Sequence, residues 1–163
     1  MAPDTPVIDP IQFEVIRSAL TQVAEEMAAA LRRSAYSTNV KTRQDFSCAF
    51  FDRNCRPISQ AFTQPVHLGS FVELIPTSVR TYGIENLEPG DMLVVNNPFG
   101  GGSHLNDVTV FGPIHHNGEL IGYVASLAHH VDVGGGAPAS IGPFQEIFQE
   151  GVIIPPTKLV KHG

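Results

Sequence analysis

Asn117-Gly118 stands between two long apolar-rich runs, Asp107–Ile114 and Leu120 to about Val133. Asn-Gly between such runs is the strongest short-range signal for a β-hairpin, because both central positions of its tight turn need positive φ. A hairpin of this length constrains the rest of the chain. It sets the start of the first arm beside the end of the second. It also needs further layers to cover its faces, since a two-stranded ribbon alone is marginal in water.

The flanking sequence offers those layers. Residues 1–9 read as an extended arm, and a helix is expected over 10–33. Asp9 suits its N-cap, Pro10 its first position and Gln12 a weak capping box. Ile11, Val15, Leu20, Val23, Met27 and Leu31 form one helical stripe, the kind of face that packs on a sheet. From Asp45 the period changes to two. In DFSCAFFD, Phe46, Cys48 and Phe50 share one face and Ser47, Ala49 and Phe51 the other, so this strand is expected to be covered on both sides. Arg53–Pro57 reads as a turn and Ile58–Phe62 as a returning strand. Ser70–Tyr82 reads as a helix that Pro76 should kink or divide. Met92–Val95 is a short strand, and Asn96–Asn106 a Gly-rich loop. A short helix over Phe144–Gln149 and an apolar run Val152–Ile154 follow, with no closing element before Lys161-His162-Gly163. The expected fold is α+β: a long N-terminal helix on a mixed or antiparallel sheet with Gly-rich loops, the sheet-rich region spanning 45–163.

Several function classes are excluded at this stage. A net charge of −6 argues against a nucleic-acid surface. The two cysteines form no CxxC pair, so Cys48 and Cys55 are expected as free thiols, with Cys48 in the core rather than a nucleophile. No apolar run reaches the ~18 residues of a membrane span, and MAPDTPVIDP has no signal-peptide character. A cytoplasmic location is the expectation. Neither Gly100–Gly102 nor Gly134–Gly136 is a phosphate loop, because no GK[S/T] follows.

The histidines carry more information. Of seven, His104 lies three residues before Asp107, and His129-His130 lie beside Asp132. Along a strand, Ser126, Ala128, His130 and Asp132 point one way and Leu127, His129 and Val131 the other. Counted back from the Asn-Gly turn, the arms reach Asp107 and roughly His129, so the two polar clusters can meet. Two imidazoles and one carboxylate around an open position suit Zn²⁺, Fe²⁺ or Mn²⁺. A hydrogen-bonded polar cluster is the alternative. His115, His116 and His162 read as solvated. Arg43 and Asp45, just before the buried strand, form a structural salt bridge or turn cap, or contact a substrate. His67, in QPVHLGS, either faces a pocket or caps backbone.

The strings NNPFGGGSHLNDVTVFGPI, GYVASLAHHVDVGG and QEGVIIPP, with TRQDFSCAFFD and QPVHLGSF upstream, closely resemble the hydantoinase B/oxoprolinase family over roughly Pro10–Gly163. The family comprises B-type subunits of N-methylhydantoinase, 5-oxoprolinase and related lactamases, and a subunit of acetone and acetophenone carboxylases. The resemblance implies that this chain is the N-terminal part of a larger subunit and inactive alone. It implies an A-type partner subunit that binds ATP and phosphorylates the substrate, the two forming a hetero-oligomer. It also implies a divalent metal, Zn, Mn or Fe, at the positions matching the family's ligands, His104, Asp107 and His130. Where the family has Asn-Asp-Pro, this chain has Asn96-Asn97-Pro98.

The expected function is then ATP-dependent opening of a cyclic amide such as a hydantoin, 5-oxoproline or another lactam. Asp132 or His129 would orient a ligand or shuttle a proton. Asp45 is a further candidate catalytic carboxylate, and Arg43 and His67 are candidate substrate contacts. The alternatives are ketone carboxylation at the same site and a non-catalytic module that docks the A-type partner.

Overall fold

The computed structural model describes residues 8–163. All but the last two residues of the arm expected over 1–9 lie outside it. The elements are helix α1 (Pro10–Ser34), the single-turn helix α2 (Thr38–Lys41), strands β1 (Phe46–Asp52) and β2 (Pro57–Gln60), helix α3 (Pro65–Tyr82), and strands β3 (Met92–Val95), β4 (Asp107–His116), β5 (Glu119–His129) and β6 (Thr157–Val160). The six strands form one sheet in the order β2-β1-β5-β4-β3-β6. Every pairing is antiparallel, so the α+β expectation holds and the sheet is not mixed.

The alternation along β1 explains the layering. Ala49 and Phe51 point to the face covered by α3, where they join Phe71, Leu74, Ile75, Leu93, Phe111, Tyr123 and Leu127 in the main core. Phe51 and Phe71 meet edge to face at 5.9 Å. Phe46 and Cys48 point to the other face, under Ala24 and Ala28 of α1. β1 is therefore covered on both sides, as its two apolar faces require. Each large side chain so buried contributes ~1.5–3 kcal/mol.

Four expectations change. α3 starts at Pro65, five residues earlier than the apolar pattern suggested, and continues past Pro76 without division. β5 ends at His129 rather than near Val133. The helix expected over Phe144–Gln149 shrinks to one 3₁₀ turn, Ile147–Gln149. Finally, the chain does have a closing element. β6 pairs with β3 and is pinned by Lys158 Nζ at 2.5 Å from the buried Asp91. Among the described residues no helix is long and apolar enough to cross a membrane.

The β4–β5 ladder carries one irregularity that matters below. Near the turn His116 faces Glu119 and His115 faces Leu120, but beyond it Ile114 faces Gly122 and Asp107 faces His129. Ile121 is the extra residue of this β-bulge. From there on, every pair is offset by one relative to an unbroken two-residue hairpin.

Candidate metal centre

Three strand ends, one loop and the first turn of a helix converge at one end of the sheet. β5 lies between β1 and β4 and runs antiparallel to both, so its C-terminus sits beside their N-termini. Asp45 precedes β1, Asp107 opens β4 and His129 closes β5. The His129 N–H donates to the Asp45 carbonyl at 3.0 Å, which extends the ladder up to the site. His104 arrives from the Gly-rich loop. That loop is pressed on α3, with Gly101 in the left-handed region at φ +103°, and a Cβ there would lie 2.6 Å from the Leu74 nitrogen. His67 comes from the first turn of α3.

Asp107 is the hub. Its side chain is 2 % exposed. Oδ1 lies 3.2 Å from His104 Nε2 and 3.2 Å from His129 Nδ1. Oδ2 accepts a hydrogen bond from the Ser103 hydroxyl and lies 3.7 Å from His67 Nε2. The His104 and His129 rings stand 4.9 Å apart, tilted by 46°. Burial alone would raise the Asp107 carboxyl, but the bonds from His104 and Ser103 and the nearby imidazoles hold it down to about 2. The bond to Asp107 raises His104 in turn, against its partial burial. His67 goes the other way: burial lowers it despite the attraction of Asp107 and Asp45.

This donor set fits a divalent cation. One ligand atom each from His104, Asp107 and His129 lies within 4.8 Å of the other two, a span that one ion with bonds of ~2 Å can draw together. Two imidazoles and one carboxylate are borderline donors that suit Zn²⁺, Fe²⁺ or Mn²⁺. The His104 side chain is 40 % exposed, so one side of the cluster opens to solvent.

Of the three ligands expected from sequence, the structure brings His104 and Asp107 together. The structure sets His129, not His130, beside Asp107. The one-residue offset at Ile121 is the reason: a bulge-free hairpin would place Asp107 opposite Ala128, on the face that His130 shares. His130 is exposed, and the Asn106 side-chain amide holds its carbonyl at 2.8 Å. Asp132 is likewise outside the cluster, exposed, and accepts from the Gly134 N–H at 2.8 Å. Arg43 is exposed and not part of it. His67 and Asp45 do join it, with His67 Nε2 at 3.5 Å from Asp45 Oδ1. His67 is buried, at 3 % exposure, behind the two carboxylates. Sequence reasoning missed Ser103 and Ser47. Ser103 lies in the same Gly-rich string as His104, which is a weak signal. Ser47 was visible only as a polar residue on an otherwise apolar strand.

Comparison with known proteins points one way. The profile of the family described as hydantoinase B/oxoprolinase matches residues 9–163. The 5-oxoprolinase of Dictyostelium discoideum is 40 % identical over 160 residues, which cover 98 % of this chain and 13 % of that one. The caprolactamase subunit beta of Pseudomonas jessenii is 35 % identical over 157 residues, 96 % of this chain and 27 % of that one. The crystal structure of the ATP-dependent caprolactamase from the same organism superposes with a TM-score of 0.79 at 32 % identity, covering 94 % of this chain and 26 % of that one. A nucleotide-free acetone carboxylase structure superposes with a TM-score of 0.86 at 22 % identity, covering 94 % and 21 %; this likeness shows the shared fold. The chain spans between 12 % and 28 % of the length of the curated relatives it matches.

Proposed function

Since this chain belongs to the hydantoinase B/oxoprolinase family, we propose that it forms the metal-site part of a B-type subunit or domain in an ATP-dependent enzyme that opens a cyclic amide. The substrate class is a hydantoin, 5-oxoproline or another lactam. The observation that carries this reading is the buried Asp107 gathering His104 and His129 at an end of the sheet that opens to solvent.

In this reading His104, Asp107 and His129 hold a divalent cation, which supplies a Lewis acid for a carbonyl or phosphoryl oxygen and lowers the pKa of a water. The chain's own residues prepare that chemistry. Ser103 and His67 occupy Asp107 Oδ2, leaving Oδ1 directed at the two imidazoles. Asp45, part exposed at the rim, is a second carboxylate, serving as a further ligand or as the proton acceptor for an attacking water. ATP is handled by an A-type partner subunit or domain, whose phosphorylation of the amide oxygen makes the ring carbon electrophilic.

The test is elemental analysis and ring opening in the intact enzyme carrying His104→Ala. Loss of both metal and activity in a folded protein is the expected result, and undiminished activity would overturn the reading. Asp45→Asn then separates its two roles: metal lost means ligand, whereas metal kept with activity lost means base. ATP-dependent bicarbonate incorporation would favour ketone carboxylation instead. A well-folded enzyme that binds its partner but no metal would favour a docking module.

A further inference from the structure

We propose that His67 is a positioning residue: an N–H donor shared by Asp45 and Asp107, which ties together two strands that do not touch each other. This role rests on the metal-centre reading above. β1 and β4 are separated by β5, so no ladder hydrogen bond fixes the start of one against the start of the other. His67 reaches across from α3. Its Nε2 lies 3.5 Å from Asp45 Oδ1 and 3.7 Å from Asp107 Oδ2.

The proton inventory assigns that nitrogen. Ionised carboxylates only accept, so a bare lone pair on Nε2 would face two negative oxygens, and Nε2 must carry hydrogen. Both distances exceed a full hydrogen bond, so the N–H is divided between two acceptors and its pull is largely electrostatic. The other ring nitrogen is served by a buried chain of hydroxyls. Thr63 Oγ1 donates to Ser47 Oγ at 3.0 Å, and Ser47 Oγ lies 3.3 Å from His67 Nδ1 and 3.3 Å from the Gln64 carbonyl. With Nε2 protonated, neutral Nδ1 is an acceptor, and the Ser47 hydroxyl is placed to fill it. If the ring is charged, Ser47 turns its hydrogen to Gln64 instead. The Nε2–H survives in both states, and only the Nδ1–H tautomer is disfavoured.

Such a tether explains why a buried histidine from a separate helix stands behind the ligands. Partners of this kind orient metal-binding groups, and their loss typically weakens metal affinity by about 10–100-fold.

The experiment pairs two readouts. In the first, nitrogen NMR of the metal-free intact enzyme with labelled histidine reads the His67 tautomer; hydrogen on Nε2 is expected, and hydrogen on Nδ1 alone would overturn the proposal. In the second, Zn²⁺ and Mn²⁺ affinities are measured by chelator competition. His67→Leu is expected to bind about 10–100-fold more weakly. His67→Gln sets an amide N–H near the Nε2 position and is expected to stay within about threefold of the parent. Should the leucine variant fail to fold, His67→Asn replaces it, because its amide falls at the Nδ1 position. Equal affinity for the parent and the leucine or asparagine variant would overturn the tether. A parent enzyme that binds neither metal would defeat the metal-centre reading instead, and the tautomer would still decide whether His67 donates to the carboxylates.

Discussion

Two buried aspartates sit in the same sheet with opposite partners. Asp91, just before β3, accepts from Lys158 Nζ at 2.5 Å, from the Glu88 N–H at 2.9 Å and from the His162 N–H at 3.1 Å. The Lys158 bond, helped by the backbone donors and opposed by burial, holds its carboxyl well below the usual range. Asp107, just as buried, is surrounded by imidazoles and one serine hydroxyl. An ammonium only donates, so the Asp91 cluster is electrically closed and has nothing left to offer a ligand. An imidazole has a lone pair as well as an N–H, so the Asp107 cluster can exchange its internal hydrogen bonds for bonds to a cation. Burial and a depressed carboxyl pKa are common to both; the chemistry of the partners separates a clasp from a site.

The comparison can be broken at either end. The largest effect is expected from Asp107→Asn. Metal affinity should fall by more than about 100-fold, measured by chelator competition, with a far smaller change in melting temperature. Retained affinity would mean that the hub is only structural. Asp91→Asn should do the reverse: a lower melting temperature with metal affinity unchanged. Its pH dependence has a definite sign. A carboxyl lowered in the folded state stabilises fully above its unfolded value of about 3.8, and that contribution fades as pH falls toward the folded value. The stability gap between parent and Asp91→Asn should therefore stay constant from neutrality to about pH 4 and narrow below it, which acid unfolding curves would show. The smallest effect belongs to Thr109, which lies two residues inward from Asp107 on the same strand face. Its buried hydroxyl has no hydrogen-bond partner among the described residues. Thr109→Val should be neutral or stabilising by up to about 1 kcal/mol in denaturant unfolding. A clear loss of stability or of metal binding would give that hydroxyl a role.

Much of this was legible in the sequence, and the failures have physical causes. The hairpin was readable because Asn117-Gly118 demands its turn, and the double burial of β1 because both of its faces are apolar. From the hairpin alone it followed that the polar clusters around Asp107 and around His129-His130 can meet; the trio of His104, Asp107 and His130 rested on the family resemblance as well. Which histidine did not, because a bulge leaves no simple mark in composition. α1 misled in another way. The early part of its stripe, Ile11, Val15 and Val23, is exposed, with Ile11 at 73 %, while Met27 and Leu31 of the same stripe pack half-buried beside the buried Ala24 and Ala28. Helical period identifies a face but not which stretch of it is covered. β6 was missed because TKLV is short and half exposed, and only its pairing with β3 makes it a strand. The role proposed for His67 depends on α3 beginning five residues before the apolar pattern does, for which Pro65, at its first position, is the one local signal.

The extra residue at Ile121 has a further consequence. It lies eight positions from His129, or roughly 26 Å along an extended strand, and touches none of the site. Yet it works as a reading frame does in a message: leaving one unit out of the pairing upstream sets how every unit downstream is read. Were Ile121 taken into regular pairing instead of bulging, Ala128 would face Asp107 and His129 would move to the other face, whereas deleting Ile121 outright would leave Asp107 opposite His129. The identity of a candidate ligand at one end of the sheet is thus written in the counting at the other, and a lineage can lose the arrangement through one more residue paired into β5 beside the turn, with none of the site residues altered.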